Sequence, residues 1–250
     1  FNKFRAELLR YPLLPYLDYK ALVRRLDDAS DAVIDEFLTR YSDTPLSEKL
    51  RVQWLKSVAK HGNNKAFIRF YQETDDIELA CQYRVALLRE GKAKDAIANF
   101  AEDWITGFTL PDACDPLISH WREMGGLTDE LVWQRLRAAI KLSKLTLATE
   151  LSEFLPATSK PAALLYQRVH ADPRLIIDDN LFSVQNSNYR EIALYGLRRL
   201  AYRDLDEALV QWARLMGRFY FSPMERTETQ ILIGLLLAQD RRSEALAWMM

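Results

Sequence analysis

Two cysteines, three histidines and eight glycines are few for a chain of 250 residues, and each scarcity excludes something. Cys81 and Cys114 belong to no Cys-x-x-Cys pair, so no zinc-type ligand spacing is present. His61, His120 and His170 are far apart in sequence and form no His-x-x-x-His pair. No glycine-rich phosphate loop and no Gly-x-Ser-x-Gly nucleophile elbow occurs. The sequence therefore points to no metal, no cofactor and no catalytic residue. Strand signals are also missing: there is no Asn-Gly or Asp-Gly hairpin turn and no sustained apolar–polar alternation. Neither sign of charge dominates, since 34 Lys and Arg stand against 35 Asp and Glu for a formal charge of −1. A dedicated nucleic-acid binder would carry a basic excess. The longest apolar run, Ile231 to Ala238, is far short of the ~20 residues that cross a bilayer, so no transmembrane segment is expected.

What the chain has in abundance is helix periodicity. Leu205, Ala208, Leu209, Trp212, Leu215 and Met216 fall on one helix face. Ile77, Cys81, Val85 and Leu88 make a second stripe, and Ile97, Phe100 and Trp104 a third. Ser222-Pro223-Met224-Glu225 has the Ser, Pro and Glu of a capping box, and Asp204 to Glu207 has the same cap-to-Glu spacing. Thr44-Pro45 and Asp115-Pro116 place a capping oxygen before a proline. Gly62, Gly91, Gly125 and Gly217 are expected helix stops. About fifteen helices with short joins follow. Both ends, Phe1 to Arg10 and Ala247 to Met250, read as amphipathic helix, which predicts a chain cut from something longer. The proline- and asparagine-bearing stretch 156–188 is the expected place for a hinge.

A divergent repeat runs through this pattern. Leu88, Gly91, Asp95-Ala96-Ile97 and Phe100 correspond to Leu200, Arg203, Glu207-Ala208-Leu209 and Trp212. Leu237, Asp240, Glu244-Ala245-Leu246 and Met249 make a third copy, and His61 to Phe67 a degenerate fourth. Each copy is a helix, a tight turn and an acid near the next helix start, followed by a small Ala where two helices meet. The predicted fold is all-α: a right-handed superhelix, or α-solenoid, of tetratricopeptide-like helical hairpins.

The candidate sites are modest. Cys81 on an apolar face and Cys114 before a helix start fit two unrelated buried thiols, while a disulfide would require an oxidising compartment. His61 before Gly62 suits a partner for a helix C-terminus. The tryptophans at 54, 104, 121, 133, 212 and 248 could stack on sugars, but their Leu and Ala neighbours favour core packing. Arg24-Arg25 and Arg198-Arg199 read as solvated faces.

One string is more particular. Tyr11-Pro12-Leu13-Leu14-Pro15-Tyr16-Leu17-Asp18-Tyr19 holds two prolines and three tyrosines in nine residues. It resembles the start of the superhelical region of bacterial soluble lytic transglycosylases of the Slt type. Cys81-Gln82-Tyr83, Gly91, Trp104-Ile105-Thr106-Gly107, Pro111-Asp112-Ala113-Cys114-Asp115 and Trp121 continue the resemblance. These blocks cover about the first 125 residues; beyond Pro156 the likeness is only in the kind of helical pairs.

The resemblance implies a U-shaped α-superhelix, 1–250 being one such region, with a lysozyme-like catalytic domain C-terminal to it. It implies a disulfide between Cys81 and Cys114 and a bacterial periplasmic location. It also implies an enzyme that cleaves peptidoglycan between N-acetylmuramic acid and N-acetylglucosamine, with one Glu as acid and then base and a 1,6-anhydro product. That Glu lies in a Glu-Ser dipeptide, and none occurs in residues 1–250. The implied partners are peptidoglycan glycan strands, engaged through the catalytic domain, and other cell-wall proteins. The competing reading is a tetratricopeptide-like scaffold for a protein partner.

Overall fold

The computed structural model describes residues 11–182 and 186–249, and all regular structure among them is helical. The helix expected over Phe1–Arg10, and Met250, lie outside the described residues. The fifteen α-helices divide between two compact units. The first comprises residues 1–101 and 110–126, the second 102–109 and 127–250.

The first unit holds α1 (Leu14–Val23), α2 (Asp31–Arg40), α3 (Pro45–Lys60), α4 (Asn64–Phe70), α5 (Ile77–Arg89), α6 (Ala93–Ile97) and α8 (Asp115–Glu123). The short helix α7 (Phe100–Trp104) straddles the division. Its core is aromatic: Phe37 meets Tyr41 edge-on at 4.8 Å, and Trp54 meets Phe70 at 6.0 Å. The resemblance-bearing string contributes Leu14 and Tyr19 to the buried set and ties down through Asp18, which accepts from the Tyr41 hydroxyl at 2.5 Å.

The second unit holds α9 (Asp129–Lys141), α10 (Leu145–Ser152), α11 (Lys160–Ala171), α12 (Ser187–Ala201), α13 (Leu205–Arg218), α14 (Pro223–Gln239) and α15 (Ala245–Met249). Two 3₁₀ turns, Pro173–Ile177 and Asp179–Phe182, separate α11 from α12. The stretch 156–188, where a hinge is expected, thus lies inside this unit, and its residues 183–185 lie outside the described ones.

The hairpin turns share one chemistry. At the ends of α3, α5, α8, α9 and α14 a residue turns left-handed: Gly62, Gly91, Gly125, Ser143 and Arg241, with φ of 69°, 77°, 74°, 58° and 58°. The next amide then donates back five residues, as in Asn63 to Val58, Lys92 to Leu87, Lys144 to Ala139 and Arg242 to Leu237, at 2.8–2.9 Å. This is the Schellman closure, which satisfies carbonyls that the helix end leaves free. On the following helix a small residue is buried against its partner: Ala66, Ala96, Ala148 and Ala245. Ala208 is buried in the same place on α13, although α12 ends without a left-handed residue. The Ser143–Ala148 turn adds a copy between residues 100 and 200, where the sequence shows no clean copy of the repeat.

Several local expectations are corrected. The Ile97–Trp104 stripe is not one helix: the chain breaks at Ala98-Asn99, with Asn99 left-handed at φ 56°. The Arg84 guanidinium stabilises the break by donating to the Ala96 and Ala98 carbonyls at 2.9 and 2.7 Å. Ile77 begins α5 and is half exposed; Leu79 takes the core position instead. Gly217 does not stop α13, which runs to Arg218 before an extended Phe219 turns the chain and buries Phe219 and Phe221. Thr44 spends its hydroxyl on the Tyr41 carbonyl, and Asp115 caps nothing, because a 3₁₀ turn at Asp112–Cys114 feeds straight into α8. The Ser222 capping box and the Asp204 cap form as expected.

Candidate functional site

In the first unit Cys81 and Cys114 are joined in a disulfide, with a Cα–Cα separation of 4.9 Å. Cys81 comes from the buried face of α5, and Cys114 ends the 3₁₀ turn before α8. The bond fixes the wall of a groove of ≈ 520 Å³ lined by α3, the α3–α4 turn, α5 and the Ala113–Pro116 corner. Lys56, Lys60 and Arg89 stand on this lining with Glu78 and Gln82. Lys56 and Lys60 also face a second groove of ≈ 410 Å³, with Arg24 and Arg25 across it. Arg24 and Arg25 are exposed, as a solvated face should be.

The second unit has a groove of ≈ 360 Å³ of a different kind. Its centre is Glu191 on α12, which accepts from Trp133 Nε1 at 3.1 Å, Arg137 at 3.3 Å and the Tyr166 hydroxyl at 3.4 Å. Burial, and then the Glu191 charge, push the Tyr166 phenol up from its ordinary value. Around this hub each arginine has its own acid: Arg190 meets Glu225 at 3.6 Å and Arg198 meets Glu228 at 2.9 Å. Arg198-Arg199 is therefore no plain solvated face. Arg198 ties α12 to α14, and Arg199 lies over the Tyr195 ring.

A polar chain passes behind the hub. The Ser143 hydroxyl lies 3.1 Å from His170 Nε2, and the Tyr195 hydroxyl 2.6 Å from His170 Nδ1. Burial, then Arg199 and Arg203, hold His170 below its ordinary value. A serine beside a neutral imidazole invites comparison with a nucleophile and its base. The electrostatics oppose it: Ser143 follows the C-terminus of α9, where carbonyls present partial negative charge, the wrong sign for an oxyanion. The chain Ser143–His170–Tyr195 is instead a clamp joining the α9–α10 turn, α11 and α12.

The other sequence candidates have structural roles. His61 caps α3, its Nδ1 2.8 Å from the Ser57 carbonyl. Trp54, Trp104, Trp121, Trp133 and Trp212 are buried, so they offer no stacking platform for a sugar. Trp248 is half-buried. Trp104 carries the guanidinium of Arg135 at 3.9 Å, and Arg135 also donates to the Phe108 carbonyl at 3.0 Å. Burial lowers Arg135 to about 10. The carboxyls of Asp179 and Glu244 are displaced downward, Asp179 by Arg214 and Arg218, Glu244 by its own backbone amide and Arg242. A glycosidic acid needs the opposite shift. No group of three metal-ligating side chains occurs among the described residues, and no described helix is long and apolar enough to cross a membrane.

Known proteins resemble the chain over most of its length. The chain is 25% identical over 199 residues to the soluble lytic murein transglycosylase of Escherichia coli K12, covering 79% of this chain and 31% of that protein. The Salmonella typhimurium enzyme matches over the same span. Among solved structures, an inactive mutant of the lytic transglycosylase Slt from Pseudomonas aeruginosa superposes with a TM-score of 0.85. The two are 32% identical, over 98% of this chain and 40% of that one. The 70 kDa soluble lytic transglycosylase of Escherichia coli shares the fold with a TM-score of 0.79 and 22% identity, over 99% of this chain and 40% of its own.

A family model described as Cucumovirus coat protein matches residues 93–174. That span is about a third of the chain and runs across the division between the two units, so it assigns no family. The solved relatives, by contrast, follow the chain almost from end to end. In sequence and in fold this chain is a relative of the soluble lytic transglycosylases, and it spans less than half of their length.

Proposed function

We propose that the chain is the non-catalytic superhelical domain of a periplasmic peptidoglycan lytic transglycosylase. The observation that carries this reading is the agreement in sequence and fold with the Pseudomonas aeruginosa enzyme over 98% of the chain. The absence of a Glu-Ser dipeptide supports a domain without the acid. The Cys81–Cys114 bond suits an oxidising compartment. In this reading 1–250 is one superhelical region of a longer protein, with a hinge in 156–188 and a lysozyme-like domain C-terminal to it. That domain cleaves the N-acetylmuramic acid–N-acetylglucosamine bond and leaves 1,6-anhydro products. The role of this chain is to support that domain and to limit which glycan strands reach it, with cell-wall proteins as further partners.

The test is to digest isolated peptidoglycan with the full-length enzyme and with a form from which this chain is removed. The same bond should be cut by both, with a changed distribution of glycan lengths. Identical distributions would contradict a gating role.

A further inference from the structure

Residues 102–109 belong to the second unit, although the chain on either side of them, 1–101 and 110–126, belongs to the first. The stretch that follows α7 has fixed ends, since Trp104 and Leu110 are both buried. Between them residues 105–109 form no helix, and Ile105, Phe108 and Thr109 are exposed. Their hydrogen bonds are few. The Thr106 amide donates to the Trp104 carbonyl at 2.7 Å and the Phe108 amide to the Thr106 hydroxyl at 3.3 Å, both inside the stretch. Among the described residues one hydrogen bond reaches 105–109 from elsewhere: Arg135 of α9 donates to the Phe108 carbonyl at 3.0 Å. Gly107 is pressed onto α9 so closely that a Cβ there would lie 2.6 Å from Leu142 Cδ1 and 2.8 Å from the Ala138 carbonyl oxygen.

The group beneath this stretch is an unusual one to cover. Arg135 is 3% exposed, its guanidinium lies 3.9 Å from the centre of the Trp104 ring, and its Nε has no partner. No carboxylate pairs with it among the described residues. Buried charges are normally paired. Here a carbonyl and a ring face stand in for the counter-ion, and both favour the charged form. Burial outweighs them and lowers the guanidinium to about 10. The covered state therefore works against the charge, and lifting 105–109 returns that charge to water. We infer that residues 105–109 are a strap that opens from α9 while the helix beneath stays folded. Arg135 gives the strap its one outside hydrogen bond and also the unpaired charge that favours opening. The open strap exposes the guanidinium and the Ala138–Leu142 end of α9. This device does not depend on the reading of the chain as part of a peptidoglycan enzyme.

The experiment is modification of the folded 250-residue chain with the arginine reagent phenylglyoxal, located by mass spectrometry, beside hydrogen exchange of the α9 core amides of Leu136, Ala139 and Ile140. The opening that admits reagent to Arg135 should be at least about tenfold more populated than the opening that exchanges those amides, and it should not respond to low urea. Gly107→Ala forces the strap off the Ala138 carbonyl and should raise the Arg135 rate about tenfold with α9 exchange unchanged. Arg135→Met keeps an apolar side chain over Trp104 and removes the charge, so the strap should open less. Chymotrypsin, which needs the strap lifted to cleave after Phe108, should then cut that variant more slowly than the parent chain. Modification of Arg135 only as fast as α9 unfolds, equal rates in Gly107→Ala and the parent, or faster cleavage of Arg135→Met would overturn the inference.

Discussion

The two units of this chain use the same helical hairpin and hold it in different ways. The first is bonded covalently between α5 and α8, packs aromatic side chains edge-on, and leaves the cations of its groove unpaired. The second contains no cysteine. It relies on polar connections: Glu191 with three donors, His170 between two hydroxyls, and arginines bound to acids, Asp179 taking two of them. These connections tie neighbouring helices together, although the Nε atoms of Arg135, Arg190 and Arg199 and the Gln167 carboxamide nitrogen are buried without a partner. The contrast is between a covalent and a polar way of joining neighbouring helices.

Removing the disulfide sharpens the contrast most. The Cys81→Ala/Cys114→Ala variant opens a crosslink between residues 33 apart, worth about 4 kcal/mol in the chain-entropy model. Hydrogen exchange should quicken over α5, α6 and α8 and stay unchanged over α12 to α14. Uniform loosening over both units would break the division drawn here.

Changes inside the second unit come next. Glu191→Ala leaves Trp133, Tyr166 and Arg137 without their acceptor and should cost about 1–3 kcal/mol by thermal or urea melting. Ala208→Leu adds three carbons where α13 meets α12 and should cost a similar ~1–3 kcal/mol, with faster exchange confined to residues near 190–240. Gly196→Ala tests the same closeness: a Cβ there would lie 2.4 Å from Ile176 and 2.6 Å from Val169. An unchanged melt for all three would remove the case for close-packed hairpins.

The smallest effect is a pH dependence. His170 has a lowered pKa in the fold, so between that value and the unfolded one the unfolded chain binds more protons. Stability should therefore fall as pH drops from about 6.5, the unperturbed histidine value, toward the folded one. His170→Gln should flatten that part of the profile, as followed by melting at a series of pH values.

Much of the helical plan was legible in residues whose job is local. The capping box at Ser222, the left-handed glycines and the stripe with Trp212 at its centre depend on nearest neighbours in sequence. Ser143 and Arg241 were not legible, since their left-handed turns are set by the helix closure rather than by glycine. The break at Asn99 was hidden because its stabilising group, Arg84, lies twelve and fourteen residues before the carbonyls it holds. Glu191 could not be singled out from one sequence, because its donors come from α9 and α11, 25 to 58 residues away. The groove of the first unit was hidden for the same reason: Lys56 and Arg89 stand on different helices until α3 and α5 set them side by side.

In the function proposed above, the chain supports chemistry that another domain carries. Incubating the pure 250-residue chain with isolated peptidoglycan, and separating the soluble products by mass, tests it most directly. The account predicts no 1,6-anhydromuropeptide above a protein-free control, from a chain whose circular dichroism is helical. Release of anhydromuropeptides by the chain alone would contradict it.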